Sequence, residues 1–291
     1  PELVDRLDAD GRVPASDLLE FVFSDMPTDL LPALREAGYE NIGIDTLRRL
    51  GSHRISGDYI LGMQSLGYRP TPEQLVRLRS HGISVETAER LSAFGLSGIP
   101  VEDVIRFRRH GVDPDELRGM SDAGFPPSDP DPILQLHRRG LEVDEVRAFR
   151  AVAGYELSAN ELVDMHAHGV DPEYFAGLIS DVGPTLSVDE VIELRRHGVA
   201  VEDVRGYRGA GIVSSDDLIR LHRHGVAPAS IVGYRSAGLP EAGVDDVIEL
   251  QRNGVDPGYV RELRDGGMVV LDVERVVVLH RRGVRGSHLG G

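Results

Sequence analysis

Glycine recurs along this chain in two interleaved series that share one period. The first runs Gly82, Gly111, Gly140, Gly169, Gly198, Gly225, Gly254 and Gly283, in steps of 29 residues broken once by a step of 27. The second runs Gly38, Gly67, Gly95, Gly124, Gly154, Gly183, Gly211, Gly238 and Gly267, in steps of 27 to 30. Two series with one spacing describe a single supersecondary unit used roughly nine to ten times. A unit of this size cannot bury an apolar face alone, so successive copies must stack. The pattern therefore predicts an all-α fold, an α-solenoid of about 9–10 two-helix repeats with about 19 short helices. Neither superhelical hand nor curvature is written in the sequence.

Each unit reads as two helices joined by a tight turn. Over residues 187–211, Ser187 and Glu190 have the S-x-x-E spacing of a capping box, in which each side chain satisfies a free amide at the helix start. Ser158 with Glu161 and Thr71 with Gln74 repeat the pattern. Val188, Val191, Ile192 and Arg195 follow at three- and four-residue steps, laying a mostly apolar stripe along one face. The helix closes on Arg-His-Gly-Val. Cations suit the negative end of a helix dipole, and Gly198 fits the left-handed position of a Schellman motif with Val199 as its apolar contact. The second helix begins at once. Asp113-Pro114, Asp171-Pro172 and Asp256-Pro257 put an N-cap acid before a proline at the first helical position, where the missing N–H costs nothing. Acids at helix starts and Arg at helix ends are expected to meet between neighbouring antiparallel helices, along both edges of the stack.

Residues 1–14 read as a lead-in and residues 15–283 as one repeat solenoid. Its first part, 15–67, is divergent in the manner of capping repeats and carries two of the seven Phe. Residues 284–291 have no pattern and read as a frayed or appended tail.

Composition narrows the function classes. Aromatics are 5% of the chain and Trp is absent, so the core must rest on Leu, Val, Ile and Ala. Cysteine is absent too, which excludes disulfides, zinc–thiolate sites and a cysteine nucleophile. No run of 18 apolar residues exists, so no membrane insertion is expected. The formal charge is -16, and all 32 basic residues are Arg. A lysine-free acidic chain is consistent with a GC-rich genome, with adaptation to high salt, or with engineering. It lacks the basic groove that neutralises phosphates, so no nucleic-acid binding is expected.

Histidines invite a metal reading. His166 with His168 and His222 with His224 form H-x-H pairs, but positions two apart lie about 200° apart around a helix. Equivalent residues in adjacent repeats stand about 10 Å apart, too far for Zn–N bonds near 2.1 Å. No metal and no cofactor is expected, and capping accounts for His81, His110, His168, His197 and His224, each directly before Gly. The "DADG" of Asp8–Gly11 has the look of a calcium loop, yet Gly11 as its sixth position puts Arg6 at the first ligand position, where a cation cannot coordinate. No nucleophile elbow, P-loop or dinucleotide fingerprint is present.

The most regular polar series stands three residues before the first-series glycines: Arg79, Arg108, His137, His166, Arg195, His222, Gln251 and His280. Every member is a hydrogen-bond donor. Stacking turns them into a ladder along one face. The ladder either ties each helix to the next or offers a row of donors to an extended, acidic protein segment.

The stretches "LVRLRSHGI" (75–83), "VIELRRHGV" (191–199) and "VIELQRNGV" (247–255) resemble short helical repeats that accompany bacterial antirepressor-type metallopeptidases of the beta-lactam sensor class. The resemblance covers roughly residues 42–283 and implies a helical-repeat fold. The peptidase motif H-E-x-x-H is missing, so no peptidase role carries over to any residue. Taken together, the expected function is a non-catalytic scaffold or a protein- or peptide-binding module. The alternatives are a regulatory or sensor domain of a larger bacterial protein, and an enzyme whose site has no recognised motif.

Overall fold

A computed structural model describes residues 27–40, 42–182, 186–268 and 271–288. These residues contain 18 α-helices, one 3-10 turn and no strand, and the fold is an all-α repeat solenoid. The chain divides into two compact units, Pro1–Val146 and Arg147–Gly291. The first holds α1 (Leu30–Glu36), α2 (Ile44–Ser52), α3 (Gly57–Ser65), α4 (Pro72–Ser80), α5 (Val85–Ala93), α6 (Val101–His110), α7 (Pro114–Asp122) and α8 (Pro130–Arg138). Helix α9 (Val143–Ala153) carries the division. The second holds α10 (Ala159–Ala167), α11 (Pro172–Val182), α12 (Val188–Arg196), α13 (Val201–Gly209), α14 (Ser215–Arg223), α15 (Pro228–Ala237), α16 (Val244–Arg252), α17 (Pro257–Asp265) and α18 (Val273–Arg281). The lead-in, the "DADG" turn and the start of the capping region lie outside the described residues.

Within each unit the helices alternate between two layers, and each packs on the next helix of its own layer. In the first unit α1, α3, α5 and α7 form one series and α2, α4, α6 and α8 the other. In the second, α11, α13, α15 and α17 form one and α10, α12, α14, α16 and α18 the other. The apolar stripes meet between layers. Leu75, Ile133 and Leu134 are fully buried in the first unit, and Val191, Leu218 and Leu250 in the second. The few aromatics are concentrated here as well: Phe107, Phe149, Phe175, Tyr207 and Tyr234 are among the largest fully buried side chains. Composition alone understated their share of the core.

Local signals act as their chemistry requires. Thr71 with Gln74, Ser158 with Glu161, and Ser187 with Glu190 all close as reciprocal capping boxes. The carboxylates of Asp113, Asp171 and Asp256 accept backbone N–H bonds at the starts of α7, α11 and α17. At the end of α12, Gly198 adopts φ 71°. The N–H of Val199 then reaches Leu194 O at 3.0 Å and that of Gly198 reaches Arg195 O at 3.0 Å, which satisfies carbonyls the helix leaves open. A side chain at this φ is strained, which is why glycine keeps the period.

The capping box of α12 has a pH dependence with a definite sign. The Ser187 backbone N–H bonds to the Glu190 carboxylate at 2.9 Å and holds its pKa below the usual carboxylate value. A depressed carboxyl contributes stability above its unfolded pKa and loses it as pH falls through the folded value. The wild type is therefore expected to exceed Glu190→Gln in stability at neutral pH, with the gap closing on acidification below pH ~4. Urea melts at several pH values measure this, and a gap that widens in acid would contradict it.

A further row of glycines sets the spacing of the odd-numbered layer. Gly62, Gly119, Gly177, Gly206 and Gly233 each occupy the sixth position of a helix and face the first residue of the next helix in that layer. A Cβ at Gly119 would lie 2.5 Å from Val143, and one at Gly206 2.8 Å from Pro228. The backbones come this close only because no side chain intervenes.

Charged residues pair differently from the expected pattern. Arg77 with Glu102 and Arg106 with Asp131, both at 2.6 Å, join successive helices of the same layer, and so do Arg90 with Asp115 and Arg220 with Asp245. All are solvent-exposed and screened by water and salt, so they add little to stability. After α18, Gly286–His288 form a 3-10 turn within the segment expected to lack order. The N–H of Gly286 bonds to Glu262 Oε1 at 3.0 Å, and Gly286 is buried against α17. Residues 289–291 lie outside the described residues.

Candidate functional site

The donor ladder turns backward onto the preceding repeat. In the first unit His137 Nε2 lies 2.8 Å from His110 O, at the end of α6. In the second, Arg195 Nε donates to Gly169 O at 2.8 Å and Gln251 Nε2 to Gly225 O at 3.4 Å. These acceptors sit at helix C-termini, where carbonyls have no partner within the helix and carry partial negative charge. Each donor thus caps the preceding helix of its layer in trans. Arg108 approaches Gly82, and His280 approaches Gly254, from the same side. The other layer does likewise three residues before its own glycines. Gln64 bonds Ala37 O at 2.7 Å, Arg235 bonds Ala210 O at 2.5 Å, and Arg264 bonds Ser236 O at 3.1 Å.

A second set of residues, at the third position of the odd-numbered helices, receives the ladder side chains. Arg79 lies over the Tyr59 ring at 5.5 Å and Arg195 over the Tyr174 ring at 4.9 Å. His280 meets the Tyr259 ring edge-on at 4.8 Å. Where the third residue is acidic the ladder residue is His: His137 Nδ1 is 2.7 Å from Glu116, and His222 Nδ1 is 3.5 Å from Asp203. His166 occupies the same place on α10 and is engaged as well. Sequence inspection missed this second set, although its signal was present. About twenty residues before every ladder Arg or His except Arg108 stands an aromatic or acidic residue that matches it.

Tyrosine hydroxyls supply a third tie. Tyr59, Tyr174 and Tyr259 donate to Ile83 O, Val199 O and Val284 O at 2.8, 2.8 and 2.7 Å. Tyr207 and Tyr234 enter from the seventh helical position and reach the equivalent Val226 O and Val255 O at 2.6 and 2.5 Å. Every acceptor is the residue just after a first-series glycine. Burial pushes the Tyr174 and Tyr207 hydroxyls up to about 12, so both remain protonated donors at neutral pH.

Two concavities among the described residues bear on binding. One, of about 500 Å³, opens between α11 and the turn joining α12 to α13, with Tyr174, Arg195 and Val199 in its floor and Glu173, Glu202 and Arg205 at its rim. Arg195 pairs with Asp171 at 3.4 Å and Arg205 with Asp181 at 2.8 Å. Glu173 and Glu202 are exposed, with no ion pair among the described residues. The other, of about 80 Å³, lies between α5 and the turn joining α6 to α7, lined by Thr87, Leu91, Phe107, Arg108, Val112 and Leu117. Of the histidines considered as metal ligands, His168 bonds its own helix at Asp164 O, 2.8 Å away. Among the described residues, no group of three or more His, Cys, Asp or Glu is placed to hold a metal ion. No described helix is long and apolar enough to cross a membrane. No protein-family model matches the chain, and no curated protein matches it either.

Proposed function

We propose that the chain is a non-catalytic helical-repeat module that binds a protein or an extended peptide segment. The observation that carries this reading is the open 500 Å³ concavity in the second unit, set on a frame whose polar groups are otherwise engaged in holding repeats together. The ladder donors His137, Arg195 and Gln251 already serve helix ends, so an acidic segment would have to displace those bonds. The groups left for a partner at the rim are the carboxylates of Glu173 and Glu202. With a net charge of -16, they favour a segment carrying positive charge. Nucleic acid is disfavoured by the same field.

Fluorescence anisotropy with extended basic and acidic peptides tests the reading. Basic peptides are expected to bind, more weakly at high salt. Because each exposed contact contributes at most about 1 kcal/mol, Glu173→Gln and Glu202→Gln should each weaken binding by up to about fivefold. Stronger binding of the acidic peptides or of a labelled oligonucleotide would count against the proposal. So would equal binding by the two variants together.

A further inference from the structure

We infer that the 80 Å³ recess in the first unit is a binding site for a para-substituted phenol ring. The inference stands on the recess itself and does not depend on the peptide-binding reading. Its argument comes from the other repeats. At the third position of α3, α11 and α17 a tyrosine fills the space beneath the next repeat's inter-helix turn, with its hydroxyl on that turn's carbonyl. A ladder residue, Arg79, Arg195 or His280, closes over each ring. The third residue of α5 is Thr87, too short to reach the turn.

Everything else that would receive the ring is kept in place. Arg108 stands at the recess as Arg79 and Arg195 stand at theirs, and among the described residues its side chain makes no hydrogen bond or ion pair. No side chain among the described residues donates to Val112 O, the counterpart of Ile83 O and Val199 O. Ile83, Leu91, Val104, Phe107 and Leu117 supply apolar walls, and Arg90 and Asp113 also line the recess. A second replacement lies on the same helix. The sixth position of α5 is Arg90, not glycine, and it pairs outward with Asp115. The recess is about half the ~150 Å³ that holds benzene in a closed apolar cavity. It is open on one side, so the ring enters hydroxyl first and its para substituent points to solvent. The exposed Arg108 guanidinium then closes over the face of the ring, an attraction known for Arg and aromatic faces.

The ring can belong to a free phenol or to a tyrosine side chain, and two probes separate these sources. Binding of p-cresol and of N-acetyl-tyrosinamide to the whole chain would be followed by NMR shifts at Thr87, Arg108 and Val112. The expected result is saturable binding of p-cresol, with toluene weaker by about fivefold to tenfold for want of the hydroxyl. If N-acetyl-tyrosinamide binds at the same place, the site accepts a tyrosine side chain. If p-cresol alone binds, the site takes free phenols. Thr87→Tyr should fill the recess from within, raise the melting temperature and abolish p-cresol binding. Arg108→Ala, an exposed change, should leave melting unaltered and weaken p-cresol several-fold. The inference fails if p-cresol shifts none of these residues, if toluene binds equally well, or if p-cresol still binds Thr87→Tyr. Should Thr87→Tyr not fold, undiminished binding by Arg108→Ala overturns it alone.

Discussion

Tyr234→Ala is expected to destabilise the protein by about 3–5 kcal/mol, the range for deleting a buried aromatic side chain. The ring is 0% exposed in the core of the second unit. Its hydroxyl is also the donor for Val255 O at 2.5 Å. Tyr234→Phe isolates that second role. It keeps the ring and leaves the carbonyl unsatisfied, at about 1–3 kcal/mol. A loss on the scale of the alanine change is a large share of the 5–15 kcal/mol of a typical domain. Because a solenoid is held by contacts between neighbours, the damage should be local first. Amide exchange should quicken in α15 and in the turn before α17 ahead of α10. Urea denaturation gives the total, and a loss below about 1 kcal/mol for the alanine variant would show that the ring is not part of the core.

The second large effect is expected at Gly119, where two principles oppose each other. Glycine inside a helix costs about 1 kcal/mol relative to alanine, so substitution should help. Here it should harm, because a Cβ would stand 2.5 Å from Val143 and overpacking costs about 1–3 kcal/mol. Gly119→Val adds two further methyl groups and is expected to lie at the upper end of that range. Gly209, also helical, has nothing within 4 Å of its would-be Cβ, so Gly209→Ala should be neutral or stabilising. Val143→Ala should recover part of the Gly119→Val loss, and a double-mutant cycle measures the coupling. Equal effects at Gly119 and Gly209 would falsify the close-approach account.

The parts of the fold that depend on neighbours in sequence were readable. Gly198, the Ser187 and Glu190 box, and the Asp-Pro pairs act within one turn of helix, so residue type and spacing determine them. The ladder was visible as a series, but its partners were not. His137 meets Glu116, and Arg195 meets Tyr174 and Gly169 O, through stacking geometry that no local window contains. Variation between Arg and His follows the third-position partner at several rungs, Tyr beneath Arg79 and Arg195 and an acid beside His137 and His222. The Gly119 row was hidden for another reason. Gly62, Gly177, Gly206 and Gly233 keep the period only in five helices, and without the Val or Pro facing them they read as weak points in a helix. The Thr87 recess required comparison of one repeat with the others in three dimensions.

The trans-capping bonds have a consequence for how such a chain changes length. Where such a bond forms, a repeat lends a donor backward and the repeat before it offers a helix-end carbonyl forward. A tandem duplication of one whole unit therefore inserts a matched pair and leaves no bond open at either seam. A duplication out of phase strands a donor on one side and a carbonyl on the other. The quantum of growth or loss that keeps every bond matched is the whole unit of about 29 residues. Beyond α18, the Gly286 N–H on Glu262 Oε1 ties the Gly286–His288 turn back to α17 in the same backward sense.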